Sequence, residues 1–138
     1  MNVAGYKKTH PITLDKLCND KNRYVRDKAI QNPNTHAKTL EKIVDGKDYG
    51  DKYTLSLSHN ATSEILEKLS NDYDDTLRSY VAINQNTSQQ TLKKLSEDQS
   101  ADVRKSVAHN KNTPEDVLEK LSNDKNFSVR QAVSDRRK

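Results

Sequence analysis

The chain has no tryptophan, one cysteine, three glycines and three prolines, and no apolar run long enough to cross a bilayer. Each shortage closes off a class of protein. The lone thiol, Cys18, can form neither an internal disulfide nor a thiolate cluster, which fits a reducing compartment. Three glycines leave no glycine-rich loop to cradle a phosphate. The N-terminal MNVAGYKKTH lacks the apolar stretch of a secretory signal, so a cytoplasmic location is expected and no membrane partner. Hydrophobic residues make up 31% of the 138 and charged residues 32%, a balance that disfavours a single large core.

What is present is periodicity. Leu14, Leu40, Leu66, Leu92 and Leu118 fall 26 residues apart, and Leu17, Ile43, Leu69, Leu95 and Leu121 follow each of them by three. A fixed period of this size is the mark of a solenoid, in which each unit covers the apolar face of its neighbour. The copies occupy residues 8–33, 34–59, 60–85, 86–111 and 112–138, after an N-terminal cap segment at 1–7. Val103 to Asp124, VRKSVAHNKNTPEDVLEKLSND, displays the pattern most fully.

Two helices are expected per copy. A first helix of about ten residues turns Thr13, Leu14 and Leu17, and their equivalents through Val117, Leu118 and Leu121, inward. Thr113 before Pro114, Glu115 and Asp116 reads as a helix cap; Thr87 with Gln90 has capping-box spacing, and at Ala61 the cap can move to Thr62. The second helix carries Val25, Leu77, Val103 and Val129, with Ala29, Leu55, Val81, Val107 and Val133 four positions later. The second copy departs from this: Gly46 replaces the acid, Asp51 replaces the apolar residue, and Gly50 enters, so residues 46 to 53 are expected to form a longer, mobile loop. Arg136-Arg137-Lys138 is read as a solvated end.

Aligned, the unit reads N-x-N-T-x-x-x-x-L-x-x-L-x-x-D-x-x-x-x-V-R-x-x-V-A. It resembles the leucine-rich repeat variant family of bacterial proteins and, more distantly, the HEAT-like helical repeats. The resemblance implies an all-α, right-handed superhelical solenoid of about five two-helix repeats, with one element per repeat often 3₁₀ rather than α. The best-known members join such repeats to a cysteine-rich iron–sulfur segment, which Cys18 alone cannot supply. Some HEAT-like relatives are DNA glycosylases that use tryptophans and a catalytic acid; this chain has no tryptophan and no acid assignable to that role. No cofactor is implied.

The candidate chemistry is sparse. Arg26, Arg78, Arg104 and Arg130, with Lys52 in the deviant copy, recur once per repeat, six residues after Asp20, Asp72, Asp98 and Asp124 in the regular copies. They read as a structural ladder tying adjacent repeats in preference to a phosphate-reading row. His10 and His36 are equivalent but lack the further ligands a metal site needs, and His59 and His109 read as lone residues in turns. No Ser, His and Asp set can be argued, so no enzyme and no catalytic residue is expected. On the outer side of the second helices, Tyr53, Leu57, Tyr80, Ile83, Lys105 and His109 form a candidate partner-binding patch, unless Leu57 and Ile83 bend into the inter-repeat core. The leading reading is a non-enzymatic scaffold that binds a protein partner there, as adaptor or inhibitor. The alternative is a nucleic-acid-binding repeat protein using Lys and Arg of repeats one, four and five. Against it, net charge runs +3, 0, −3, +2 and +1 along the copies, so the third interrupts any basic track.

Overall fold

The computed structural model describes residues 3–6 and 8–138. Among these it holds ten α-helices and no strand. The first helices of the copies are α1 (Pro11–Leu17), α3 (Ala37–Asp45), α5 (Ser63–Leu69), α7 (Gln89–Leu95) and α9 (Glu115–Ser122). The second helices are α2 (Arg23–Gln31), α4 (Tyr49–Ser56), α6 (Asp75–Ile83), α8 (Ala101–His109) and α10 (Phe127–Arg136). None exceeds ten residues, so none would persist alone in water. Stability has to come from packing between copies.

That packing follows the periodic positions. Leu14, Leu66 and Leu92 from the first helices, and Leu55, Leu77, Val81, Val103, Val107 and Val129 from the second, are wholly buried. Each such side chain contributes about 1.5–3 kcal/mol relative to exposure. The second helices form the spine: α2 packs on α4, α4 on α6, α6 on α8 and α8 on α10, with the contact thickest from α6 onward. The ends differ from the middle. Thr13 is exposed, because no earlier copy covers the face that buries Thr39, Ile65, Thr91 and Val117 in later copies. Ahead of α1, a 3₁₀ turn at Val3–Gly5 packs on α2 and buries Ala4. Met1, Asn2 and Lys7 of the cap segment lie outside the described residues.

One alternative is decided and two local expectations are corrected. All five second elements are α-helical, so no copy replaces one with a 3₁₀ helix. Residues 46 to 53 do not form a long loop, since α4 begins at Tyr49. Its start is fixed by Asp48, whose carboxylate accepts the Asp51 N–H at 3.0 Å. The recurring threonines are not caps. Thr35, Thr87 and Thr113 hydroxyls donate backward to the carbonyls of Ala29, Val81 and Val107, closing the preceding second helix. Capping falls one residue later, as expected in the third copy, where Thr62 accepts from Ile65 N–H at 3.2 Å; Ser88 likewise accepts from Thr91 N–H at 3.1 Å.

Candidate functional site

Two periodic networks hold the repeats in register, and they decide which side chains are left to meet a partner. The first uses the arginines. Arg78 donates from both Nε and a terminal nitrogen to Asp98 of the next repeat at 2.8 and 3.0 Å, and its other terminal nitrogen donates to the Asp72 carbonyl of its own repeat at 2.8 Å. Arg104 repeats this with Asp124 at 2.8 and 3.1 Å and with the Asp98 carbonyl at 2.7 Å. Each carboxylate also accepts the N–H two residues on, as Asp98 does from Ser100 at 2.9 Å. Burial pushes the Asp98 and Asp124 carboxyls upward, but the guanidinium and backbone hydrogen bonds outweigh it and hold both below the ordinary aspartate value. Lys52 serves as a weaker rung, reaching Asp72 at 3.3 Å. Arg130 in the last copy donates to the Asp124 carbonyl at 2.6 Å. Asp20, in the first copy, lends Arg26 its carbonyl at 2.8 Å, and its carboxylate accepts from Asn22 N–H.

The irregular second copy keeps its rung by relocating the acid. With glycine at 46, Arg26 Nε donates at 3.0 Å to Asp51, which stands where other copies bury Val or Leu. Burial raises the Asp51 carboxyl, and the Arg26 hydrogen bond offsets this only in part.

The second network is built from asparagines, to which the sequence reading assigned no role. Asn84 and Asn110 close α6 and α8. Asn84 Nδ2 donates to the carbonyls of Ser56 and Ser58 at 2.8 and 3.0 Å, and Asn110 Nδ2 to those of Ala82 and Asn84 at 2.8 and 2.9 Å. Their Oδ1 atoms accept from Asn86 and Asn112 N–H. Asn32 does the same against Ala4 and Tyr6, tying the N-terminal turn to α2. Helix-end carbonyls that would be orphaned are thus satisfied by the following repeat. Ser58 is too short for the task, and Asn60 substitutes, donating to Ile30 and Asn32 carbonyls at 2.8 Å each. At the far end Arg136 occupies the asparagine register and donates to the Ala108, Asn110 and Lys111 carbonyls. It is therefore a structural residue and not part of a solvated tail.

With these groups engaged, the candidate docking residues stand on the second helices. Tyr80, Ile83, Lys105 and His109 line one groove of about 340 Å³ between α6 and α8, together with Asp75, Thr76, Ser79, Asp102 and Ser106. His109 is the last residue of α8, not a turn residue. Ile83 is 47% and Leu57 51% exposed, so neither bends into the core. Leu57 sits at the end of α4, one repeat before Ile83, and does not line the groove. Tyr53 reaches it through Tyr80, ring centroids 5.5 Å apart and nearly perpendicular.

Two tyrosines outside the predicted patch extend this surface. Tyr49 lies 6.0 Å from Tyr53, and Tyr73, 87% exposed, lies 6.3 Å from Tyr49. The signal was present in composition, since four of the six tyrosines fall between residues 49 and 80. Their spacings are not multiples of 26, so alignment of the copies does not bring them together.

The remaining candidates are explained locally. His10 caps α1 by accepting from Ile12 N–H at 3.2 Å, and His36 faces Asp15 at 3.3 Å. Among the described residues no group of three or more His, Cys, Asp or Glu side chains is placed to hold a metal. Cys18 is buried, and burial first, then the charges of Asp15 and Asp51, push its thiol up to about 12. Among the described residues no helix is long and apolar enough to cross a membrane.

Comparison with known proteins agrees with this geometry. The family model described as leucine rich repeat variant matches residues 101–126, which is one period running from α8 through α9. A solved structure, described as a leucine-rich repeat variant with a novel repetitive protein structural motif, superposes with a TM-score of 0.68 at 22% identity. The match covers 94% of this chain and 52% of that one, so this chain spans about half the length of the protein it resembles. No curated protein sequence matches.

Proposed function

Taking the chain as a leucine-rich repeat variant protein, a helical-repeat scaffold, we propose that it binds a protein partner through the ridge formed by α4, α6 and α8, as an adaptor or as an inhibitor that occupies its target's groove. The observation that carries this is the exposure of Leu57 and Ile83 beside a groove walled by Tyr80, Lys105 and His109. Large apolar side chains left in solvent next to ordered aromatics are the makings of an interface centre. The nucleic-acid alternative has less support. Arg26, Arg78 and Arg104 are engaged with carboxylates and carbonyls, which leaves no periodic row of guanidinium groups for phosphates.

The test is affinity capture from source cells with the wild type and with Tyr80→Ala plus Ile83→Ser, matched for helicity and melting temperature. A Glu41→Ala plus Lys68→Ala variant on the first helices serves as control. The ridge variant is expected to lose the captured partner and the control to keep it. Full capture by a folded ridge variant ends the reading.

A further inference from the structure

The tyrosines form one continuous row, Tyr73, Tyr49, Tyr53 and Tyr80, crossing from the loop before α6 through α4 and into the α6–α8 groove, with successive centroids 6.3, 6.0 and 5.5 Å apart. Two of the rings are tied at their phenol ends by acids of the third copy. Tyr49 donates to Asp72 at 2.9 Å and Tyr53 to Asp74 at 2.7 Å. Held that way, the rings lose little freedom when something settles on them. Asp72 is matched by Lys52 at 3.3 Å, but Asp74 beside Tyr53 and Asp75 and Asp102 in the adjoining groove stand against Lys105 alone, so the balance along the row is negative. The row already receives a cation from within the chain, with the Lys52 ammonium 4.8 Å from the Tyr49 ring centroid.

We infer that the ridge takes a basic, apolar segment of its partner, with an arginine or lysine placed over the exposed end of the tyrosine row beside Asp74 and Asp75 and an apolar side chain against Ile83. This rests on the ridge being the docking surface and adds the charge of what docks there. An aromatic row lined with carboxylates attracts cations twice, through the ring quadrupoles and through net charge, and it repels a phosphate backbone. The α6 wall offers one more contact. Ser79 lines the groove and its hydroxyl oxygen is buried without a hydrogen-bond partner among the described residues, so a turn of its side chain toward the groove would let it donate to a bound backbone carbonyl.

The experiment uses three fluorescein-labelled decapeptides on one leucine frame, alternating leucine with arginine, glutamine or glutamate, titrated into the full chain by anisotropy at low and physiological salt. The arginine peptide is expected to bind, the glutamine peptide more weakly and the glutamate peptide not at all. Tyr73→Ala, an exposed position whose loss leaves the fold intact, is expected to weaken the arginine peptide about three- to five-fold and to leave the glutamine peptide unchanged. Asp75→Asn is expected to reduce the salt dependence of arginine-peptide binding. Equal binding of all three peptides, lost in the Tyr80→Ala plus Ile83→Ser variant, would overturn the cationic preference while leaving the ridge as a docking surface. Binding that the ridge variant does not affect, or no binding by any frame, would overturn both.

Discussion

Replacing Arg104 tests whether the repeats are held together by the arginine ladder. Its side chain is 7% exposed and that of Asp124 is 9% exposed, and the two share a bidentate contact at 2.8 and 3.1 Å. Arg104 also donates to the Asp98 and Gln99 carbonyls at 2.7 and 3.2 Å. Arg104→Ala leaves a carboxylate and two carbonyls stranded. Breaking a buried pair from one side costs about 3–5 kcal/mol. Asp124 keeps the Asn126 N–H at 2.8 Å, so the lower end, about 3 kcal/mol, is expected. Arg130 is the internal control: it is only half-buried and makes one carbonyl contact, at 2.6 Å, so Arg130→Ala is expected to cost about 1 kcal/mol. Unfolding entropy is about 2.1 cal/mol/K per residue, which over 138 residues makes these losses about 10 °C and about 3 °C in melting temperature. Differential scanning calorimetry of both variants, with Arg104→Ala plus Asp124→Asn to complete a cycle, measures this directly. The double variant is expected to lose little beyond the single one, because the partner charge is gone as well. Equal shifts for Arg104→Ala and Arg130→Ala, or a shift under about 3 °C for the former, would refute the reasoning.

Two further predictions follow from the same networks. Asn110→Ala removes two donated bonds and one accepted bond at a site 3% exposed, and a loss of about 3 kcal/mol is expected in urea unfolding. Asn110→Asp is expected to be at least as damaging near neutral pH, since a carboxylate would face two carbonyl oxygens, and to recover partly on acidification as the protonated acid regains a donor. An Asp variant as stable as the wild type at neutral pH would count against the donor role. For pH, Asp72, Asp98 and Asp124 sit below the ordinary value of 3.8, so their contribution is fully present above it and fades as pH falls toward their lower folded values. Asp51, raised by burial, acts in the opposite sense, gaining its proton in the folded state first. Asp15, Glu97 and Asp135 are lowered as well, so with six carboxyls against one, urea midpoints are expected to hold steady from about pH 7 to about pH 5 and to fall below about pH 4; a midpoint unchanged down to about pH 3 would sink the argument.

The period and the helix pairs were legible because a residue that must be buried against its neighbour in every copy leaves the same residue type at the same interval. The roles of polar positions were not, because a hydrogen bond specifies a place in space and not a place in the repeat. The threonine after the second asparagine looks like a helix cap in any single copy. Only the distance from Thr113 to the Val107 carbonyl shows that it closes the helix behind it. Arg26 requires a carboxylate at the repeat junction, and it is met from position 46 + 5 when position 46 is glycine: Asp51 occupies a core position at the cost of burial, and the rung persists. In the asparagine register, Asn60 reaches over for Ser58, and Arg136 supplies with a guanidinium what an amide supplies elsewhere. Each substitution reads as a defect when the copies are aligned, and each satisfies the same backbone carbonyls or side-chain charge when they are stacked. The docking surface obeys the same logic from the other side. Tyr49, Tyr53, Tyr73 and Tyr80 support no repeat junction in common, so no period selects them, and their row becomes apparent only through the diagonal contacts that stacking creates. Residues that hold a solenoid together are found by their period, and residues that distinguish one solenoid from another are found where the period fails, which is why the second and third copies, and not the regular fourth and fifth, carry the tyrosine row.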